Sequence, residues 1–320
     1  MKIRNTVIFL FLFACYCAPL RAGISEADRQ RVDRILGTKG VYTPSEDTYK
    51  VTFPRANVKV TVKNWTLSPF TGLVSWVAMT TDPHHGGVLF LAEFVLFEDE
   101  VNPVLSVVLN SGLKVTALHN GFLFERPRVQ FLDFSGFGQP PELAGKVRQI
   151  LDTIKAIRRA NPRPTFHLER SLPPSKSNIT ASVLDSILET RGETYKGMYK
   201  ASMGMRGLVN GILAGKQMGL RTWVAFAGTD DKAVVDGQIV MTEDEIPGVL
   251  KALRNAGITV VALQNHLIDD HPHFFFVDYW GEGRAAKLAR GVLAALESQA
   301  RRGAGSKSAT TLGPLLPDGL

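Results

Sequence analysis

The chain has 320 residues, is 45% apolar and carries a formal net charge of +7. Its two cysteines, Cys15 and Cys17, sit close together near the N-terminus, so a disulfide-built scaffold is excluded and the fold must rest on an apolar core. Setting aside Lys2, Arg4 and Arg21 of the first 22 residues, which hold no acid, leaves +4, a solubility property that gives no support to a nucleic-acid partner.

Residues 1–22 read as a signal peptide: Lys2 and Arg4 precede the apolar run "TVIFLFLFACYCAPL", and "LRA" before Gly23 is a small-residue cleavage site. "LFAC" resembles a lipobox and offers the alternative exit, a lipid anchor on Cys15. No later stretch is apolar for about 18 residues, so no membrane span is expected.

The next elements are two strand-like runs, "GLVSWVAM" and "GVLFLAEFVLF". A helix follows, opened by Glu98, Asp99 and Glu100, striped by Val101, Val104, Leu105, Val108 and Leu109, and closed by Gly112. Two more strands, "KVTALHNGFLF" and "RVQFLDF", lead to a closing helix with Leu143, Val147, Ile150, Leu151 and Ile154 on one face. Residues 23–157 thus form a β-β-α-β-β-α unit. Residues 158–178, rich in proline and basic side chains, read as a linker.

Residues 179–300 repeat the unit. At an offset of 145, "AEFVLFEDEV" meets "GQIVMTEDEI", "VTALHNG" meets "VVALQNH", and "RPRVQFLDFSGFG" meets "HPHFFFVDYWGEG". At 147, "TGLVSWVAM" meets "MGLRTWVAF". The change of offset marks "DPHHGG", with His84 and His85, as a loop. The second helix opens on "TEDE", a capping-box spelling, and carries Ile246, Val249, Leu250 and Leu253 before Gly257. Residues 301–320 read as a disordered tail. The expected fold is α+β, an internal duplication with antiparallel or mixed sheets and helices on one face, ferredoxin-like or a permutation of it.

The duplicated "VLF…EDEVNPVL…VTALHN…PR" pattern behind a leader resembles the LppY/LpqO family of exported bacterial proteins. The resemblance covers nearly the whole mature chain and implies export and fold more than activity. The family strand ends His-Asn-His, with a further His at the place of Asp133; Gly121 and Asp133 depart from that.

The polar residues at the strand ends are the candidate site. His119 and Asn120, with Asn265 and His266 in the copy, leave the core at a strand end, where a His can bind or transfer a proton and an Asn can shape the turn. "ERPR" aligns with "DHPH"; were each a strand, Arg126 and Arg128 would point together, as would His271 and His273. His266, His271, His273 and Asp278 have the residue types of a divalent-metal site, but Arg126 and Arg128 stand at the first-half positions of His271 and His273. Arginine binds carboxylate or phosphate, so an anion site accounts for both copies better. Asp133 and Asp278 lie mid-strand among aromatics, as acid–base groups or as caps of the following turn.

No Gly-x-Ser-x-Gly, nucleotide loop or His-Glu-x-x-His is present. The favoured reading is an exported protein that binds a small, anionic ligand or an envelope partner at its polar strand ends, with no cofactor beyond an optional divalent metal. The alternatives are a metal-assisted or His/Asp acid–base hydrolase using His119, His266, His271 and Asp278, and a structural envelope protein without a site.

Overall fold

A computed structural model describes residues 23–84, 86–164 and 176–303. The segment expected to be a leader, with Cys15, most of the expected linker, His85, His167 and the residues beyond Gly303 lie outside the described residues.

The first half runs α1 (Glu26–Leu36), β1 (Val41–Thr43), β2 (Thr48–Pro54), β3 (Thr61–Val62), β4 (Trp65–Thr66), β5 (Val74–Thr81), β6 (Val88–Phe97), α2 (Glu98–Asn110), β7 (Lys114–Asn120), β8 (Glu125–Arg126), β9 (Val129–Gly138) and α3 (Pro140–Ala160). The second half repeats this order: α4 (Ala181–Leu188), β10 (Glu193–Tyr195), β11 (Met198–Gly204), β12 (Gly207–Val209), β13 (Ile212–Ala214), β14 (Arg221–Gly228), β15 (Ala233–Thr242), α5 (Ile246–Asn255), β16 (Thr259–Gln264), β17 (Asp270–His271), β18 (Phe274–Gly283) and α6 (Ala285–Gly303).

Twelve strands form one antiparallel sheet in the order β1-β2-β5-β6-β9-β7-β16-β18-β15-β14-β11-β10. The order reads alike from either edge. Its centre is the pairing of β7 with β16 at Leu118 and Leu263, residues 145 apart and thus equivalent in the repeat. The protein is therefore a mixed α and β molecule built by duplication, as the sequence indicates.

Strand alternation sorts the two faces of the sheet. Phe90, Phe94 and Leu96 of β6, with Val235, Ile239 and Met241 of β15, join residues of all six described helices in one core. The opposite face is covered only at the ends of the strands. There Val95, Phe97, Val129 and Phe131 lie under the small sheet β4-β3-β8, and Val240, Phe274 and Phe276 under β13-β12-β17. Between these covers runs an open polar strip.

The expected β-β-α-β-β-α unit is present as β5-β6-α2-β7-β9-α3 and its copy, but each half also opens with a helix and a hairpin. Apolar periodicity hides these elements, because α1 buries only Val32 and Leu36. Polar locks hold them. The Tyr49 hydroxyl donates to Asp33 of α1, which also accepts from the Gly40 amide at 3.1 Å. In the copy, the Tyr199 hydroxyl donates to Asp185 at 2.9 Å, and the Gly192 amide does so at 2.8 Å. Burial and the Asp33 bond push Tyr49 up to about 12.

Two expected boundaries move. Arg158 to Ala160, assigned to the linker, form the last turn of α3, and α6 continues to Gly303. Arg158 is buried because it completes an ionic cluster. Glu100 accepts from Arg55 Nη2 at 2.9 and 3.0 Å and lies 2.9 Å from Arg158 Nε, while Arg158 also meets Asp99. The carboxylate's partners in the copy are neutral: Met205 stands for Arg55, and Glu245 accepts from Gln299 at 3.1 Å.

Candidate functional site

The open face carries one polar row per half. In the first half, Trp76, Glu93 and Asp133 are cross-strand neighbours on β5, β6 and β9. Trp76 Nε1 donates to Glu93 at 3.0 Å, and Lys50 Nζ rests 4.4 Å above the indole. Asp133 meets His119 Nε2 at 3.2 Å. Burial pushes the Asp133 carboxyl above its ordinary range, more than His119 draws it down.

In the second half, Lys200 lies 4.6 Å above Trp223, and Asp278 accepts from Gln238 at 2.8 Å and Gln264 at 3.5 Å. The copy keeps the lysine, indole and aspartate and replaces Glu93 and His119 by glutamines. Sequence reasoning missed Lys50, Trp76, Lys200 and Trp223. The tryptophans were visible in the repeat as "SWVAM" and "TWVAF"; the lysines, on the preceding strands, carried no such mark.

The rows converge where the halves meet. The antiparallel register at Leu118 and Leu263 sets His119 across from Ala262, and Gln264 across from Ala117. Small side chains at both alanines leave room there. A cleft of about 1020 Å³ opens at this point, lined by His119, Asn120, Arg126, Arg128 and Gln130 of the first half and by Ala262 and Gln264 of the second. Phe122, Leu123 and Phe124 form its apolar side, with Phe124 78% exposed.

The cleft's charges divide into paired and open groups. Asp99 is tied to Arg158, and Glu125 is buried and accepts from the Val129 amide at 3.3 Å. Burial pushes Glu98 up, while neighbouring Arg128 pulls the other way. The Arg126 guanidinium is exposed and forms no ion pair among the described residues. His119 stacks on Phe131 with centroids 5.6 Å apart, and its Nδ1 faces the Asn120 carbonyl at 3.3 Å. Both ring nitrogens therefore face oxygen acceptors.

The expectation that Arg126 and Arg128, or His271 and His273, alternate along one strand is corrected. β8 ends at Arg126 and β9 begins at Val129; β17 ends at His271 and β18 begins at Phe274, each pair separated by a cis proline. Arg128 and His273 lie in the connections between strands, so strand alternation does not align the members of either pair.

The second-half candidates disperse. His266 stacks on Phe276 with centroids 3.7 Å apart. His273 contacts Asp270 at 2.9 Å and Asn265 at 3.4 Å. His271 pairs with Leu208, and Asp278 is held by the two glutamines. None of His266, His271, His273 and Asp278 lines the cleft. Among the described residues no three His, Cys, Asp or Glu side chains are grouped to hold a metal ion.

Asp270 has a structural task instead. Burial works to raise its pKa, but bonds from the Phe274 amide and His273 outweigh this and hold it below the ordinary value. A lowered carboxylate pKa contributes stability above the unfolded value, lost as pH falls through the folded one. The stability advantage of the wild type over Asp270→Asn is therefore expected to be full at pH 6 and to shrink below about pH 4. Urea unfolding at stepped pH checks this; an advantage that stays constant contradicts it.

No curated protein matches the chain. Among solved structures, a trimeric bacterial microcompartment shell protein, PduB, is similar at 11% identity over 83% of this chain and 92% of that chain, with a TM-score of 0.18, too low to support a likeness of fold. No described helix is long and apolar enough to cross a membrane. Residues 30–153 and 182–298 each match the model of the Domain of Unknown Function (DUF1259), in register with the two halves of the sheet. The chain belongs to the DUF1259 family and carries its domain twice.

Proposed function

We propose that the protein is exported and binds a small ligand with an anionic group in the cleft where its halves meet. The observation that carries this is the exposed Arg126, without an ion pair among the described residues, beside an apolar wall in a cleft lined from both halves. A guanidinium offers a fork of donors to a carboxylate or phosphate. His119, Asn120 and Gln264 supply further polar contacts, and Phe122 to Phe124 suit an apolar group beside the anion. The resemblance to LppY/LpqO proteins and the leader support export.

Phenylphosphate and benzoate are suitable probes for calorimetric titration. Arg126→Gln is expected to weaken phenylphosphate binding about tenfold, the loss of one charge-assisted bond. An unchanged affinity contradicts the proposal.

An acid–base hydrolase is the second reading, favoured by the contact of His119 with Asp133. The acceptors at both ring nitrogens support a positioned ring over a free base. Stoichiometric metal in the purified untagged protein, lost in His119→Ala, would favour the hydrolase.

We also read each half as a permuted ferredoxin-like unit. Its support is the order β5-β6-β9-β7, in which β6 and β7 run parallel on either side of β9 and are joined by α2.

A further inference from the structure

A second recess, of about 400 Å³, lies on the open face at the outer strands of the second half. Arg191, Lys200, Lys216 and Arg221 line it, with Glu193 as its one lining acid. Arg191, Lys200 and Arg221 form no ion pair among the described residues. Arg191, Lys200 and Arg221 outnumber Glu193 in the lining, so the recess attracts a counter-charge. Two of the four are additions to the repeat: Lys216 and Arg221 stand where the first half has Pro69 and Val74. The cations are also positioned. Lys200 lies over Trp223, and Lys216 Nζ reaches the Ser202 carbonyl at 3.5 Å. Five strand intervals separate β11 from β7, about 24 Å at 4.8 Å per strand, so this recess is distinct from the central cleft.

We propose that the recess is a second binding site, specific to the second half, for a phosphate group carrying two or more negative charges. Lys200 and Lys216 act as point charges, Arg221 and Arg191 as forks, and Ser202 and Gln217 line the same space as neutral polar side chains. Such a phosphate comes either from a soluble ester or from a lipid headgroup.

The test titrates inorganic pyrophosphate into the full chain at low ionic strength, with acetate as the monoanion control. Saturable pyrophosphate binding is expected, at least tenfold tighter than acetate. Arg221→Gln and Lys200→Gln should each weaken it at least tenfold with unchanged circular dichroism, and Arg126→Gln should leave it unchanged. Absence of saturable binding, or affinity insensitive to both Arg221→Gln and Lys200→Gln, overturns the proposal. Sedimentation with vesicles containing phosphatidic acid, whose headgroup is a phosphomonoester, separates the two sources. Co-sedimentation lost in Arg221→Gln assigns the site to a lipid headgroup, and pyrophosphate binding without co-sedimentation assigns it to a soluble phosphate.

Discussion

Glu100→Ala is expected to destabilise the protein by about 3–5 kcal/mol, the cost of leaving buried partner charges uncompensated. Glu100 is 0% exposed, and its two oxygens serve Arg55, Arg158 and the Phe97 amide. Removing it leaves the buried Arg55 without its carboxylate and the buried Arg158 with Asp99 alone. The copy provides the internal control. Glu245 sits in the equivalent turn but faces the neutral Gln299 and the Thr242 amide, so Glu245→Ala should cost about 1–2 kcal/mol. Urea unfolding of both variants checks the difference. Equal losses would mean that the first-half cluster does not depend on its carboxylate.

Leu118→Ala is expected to cost about 2–5 kcal/mol, as for a fully buried leucine whose cavity collapses only in part. Leu118 is 0% exposed and faces its repeat partner Leu263 across the ladder of β7 and β16 that joins the halves of the large sheet. A second tie lies beside it. The Asn102 side chain of α2 accepts from the Val260 amide at 2.9 Å and donates to its carbonyl at 3.2 Å. Because the two halves share a sheet and a core, unfolding should remain a single transition in the variant. Two separated transitions would show that the halves fold independently. The same substitution should weaken phenylphosphate binding, since Leu118 itself lines the cleft next to His119.

Much of the architecture was legible because the repeat is strong. Glu98 to Glu100, the apolar stripe behind them and Gly112 mark α2, and the offset of 145 carries that reading to α5. The repeat offset itself aligned Leu118 with Leu263, but nothing in a sequence says that equivalent strands meet edge to edge at a centre. The short elements escaped because β3, β4, β8 and β17 have two residues each, too few for any period. Arg158 was misplaced in a linker because proline and basic residues follow it, whereas its burial depends on Glu100, 58 positions earlier.

The site was legible in part. His119, Asn120, Arg126 and Arg128 do gather at one cleft, and Asp133 reaches it through His119. The second-half histidines do not, because His266 packs on Phe276 and Asp270 claims His273. Gly121 explains one departure between the copies. A Cβ there would come within 2.3 Å of the Phe131 ring, over which His119 stacks instead. Each copy thus lays one histidine on the same phenylalanine, from positions two apart in the repeat.

The most direct measurement is a crystal structure of the protein with phenylphosphate. The account predicts the phosphate at Arg126, the phenyl ring against Phe122 to Phe124, and a contact from Ala262 or Gln264 of the second half. Phenylphosphate bound only at the Arg221 recess, or bound in the cleft without touching the second half, would contradict a site shared by the two halves.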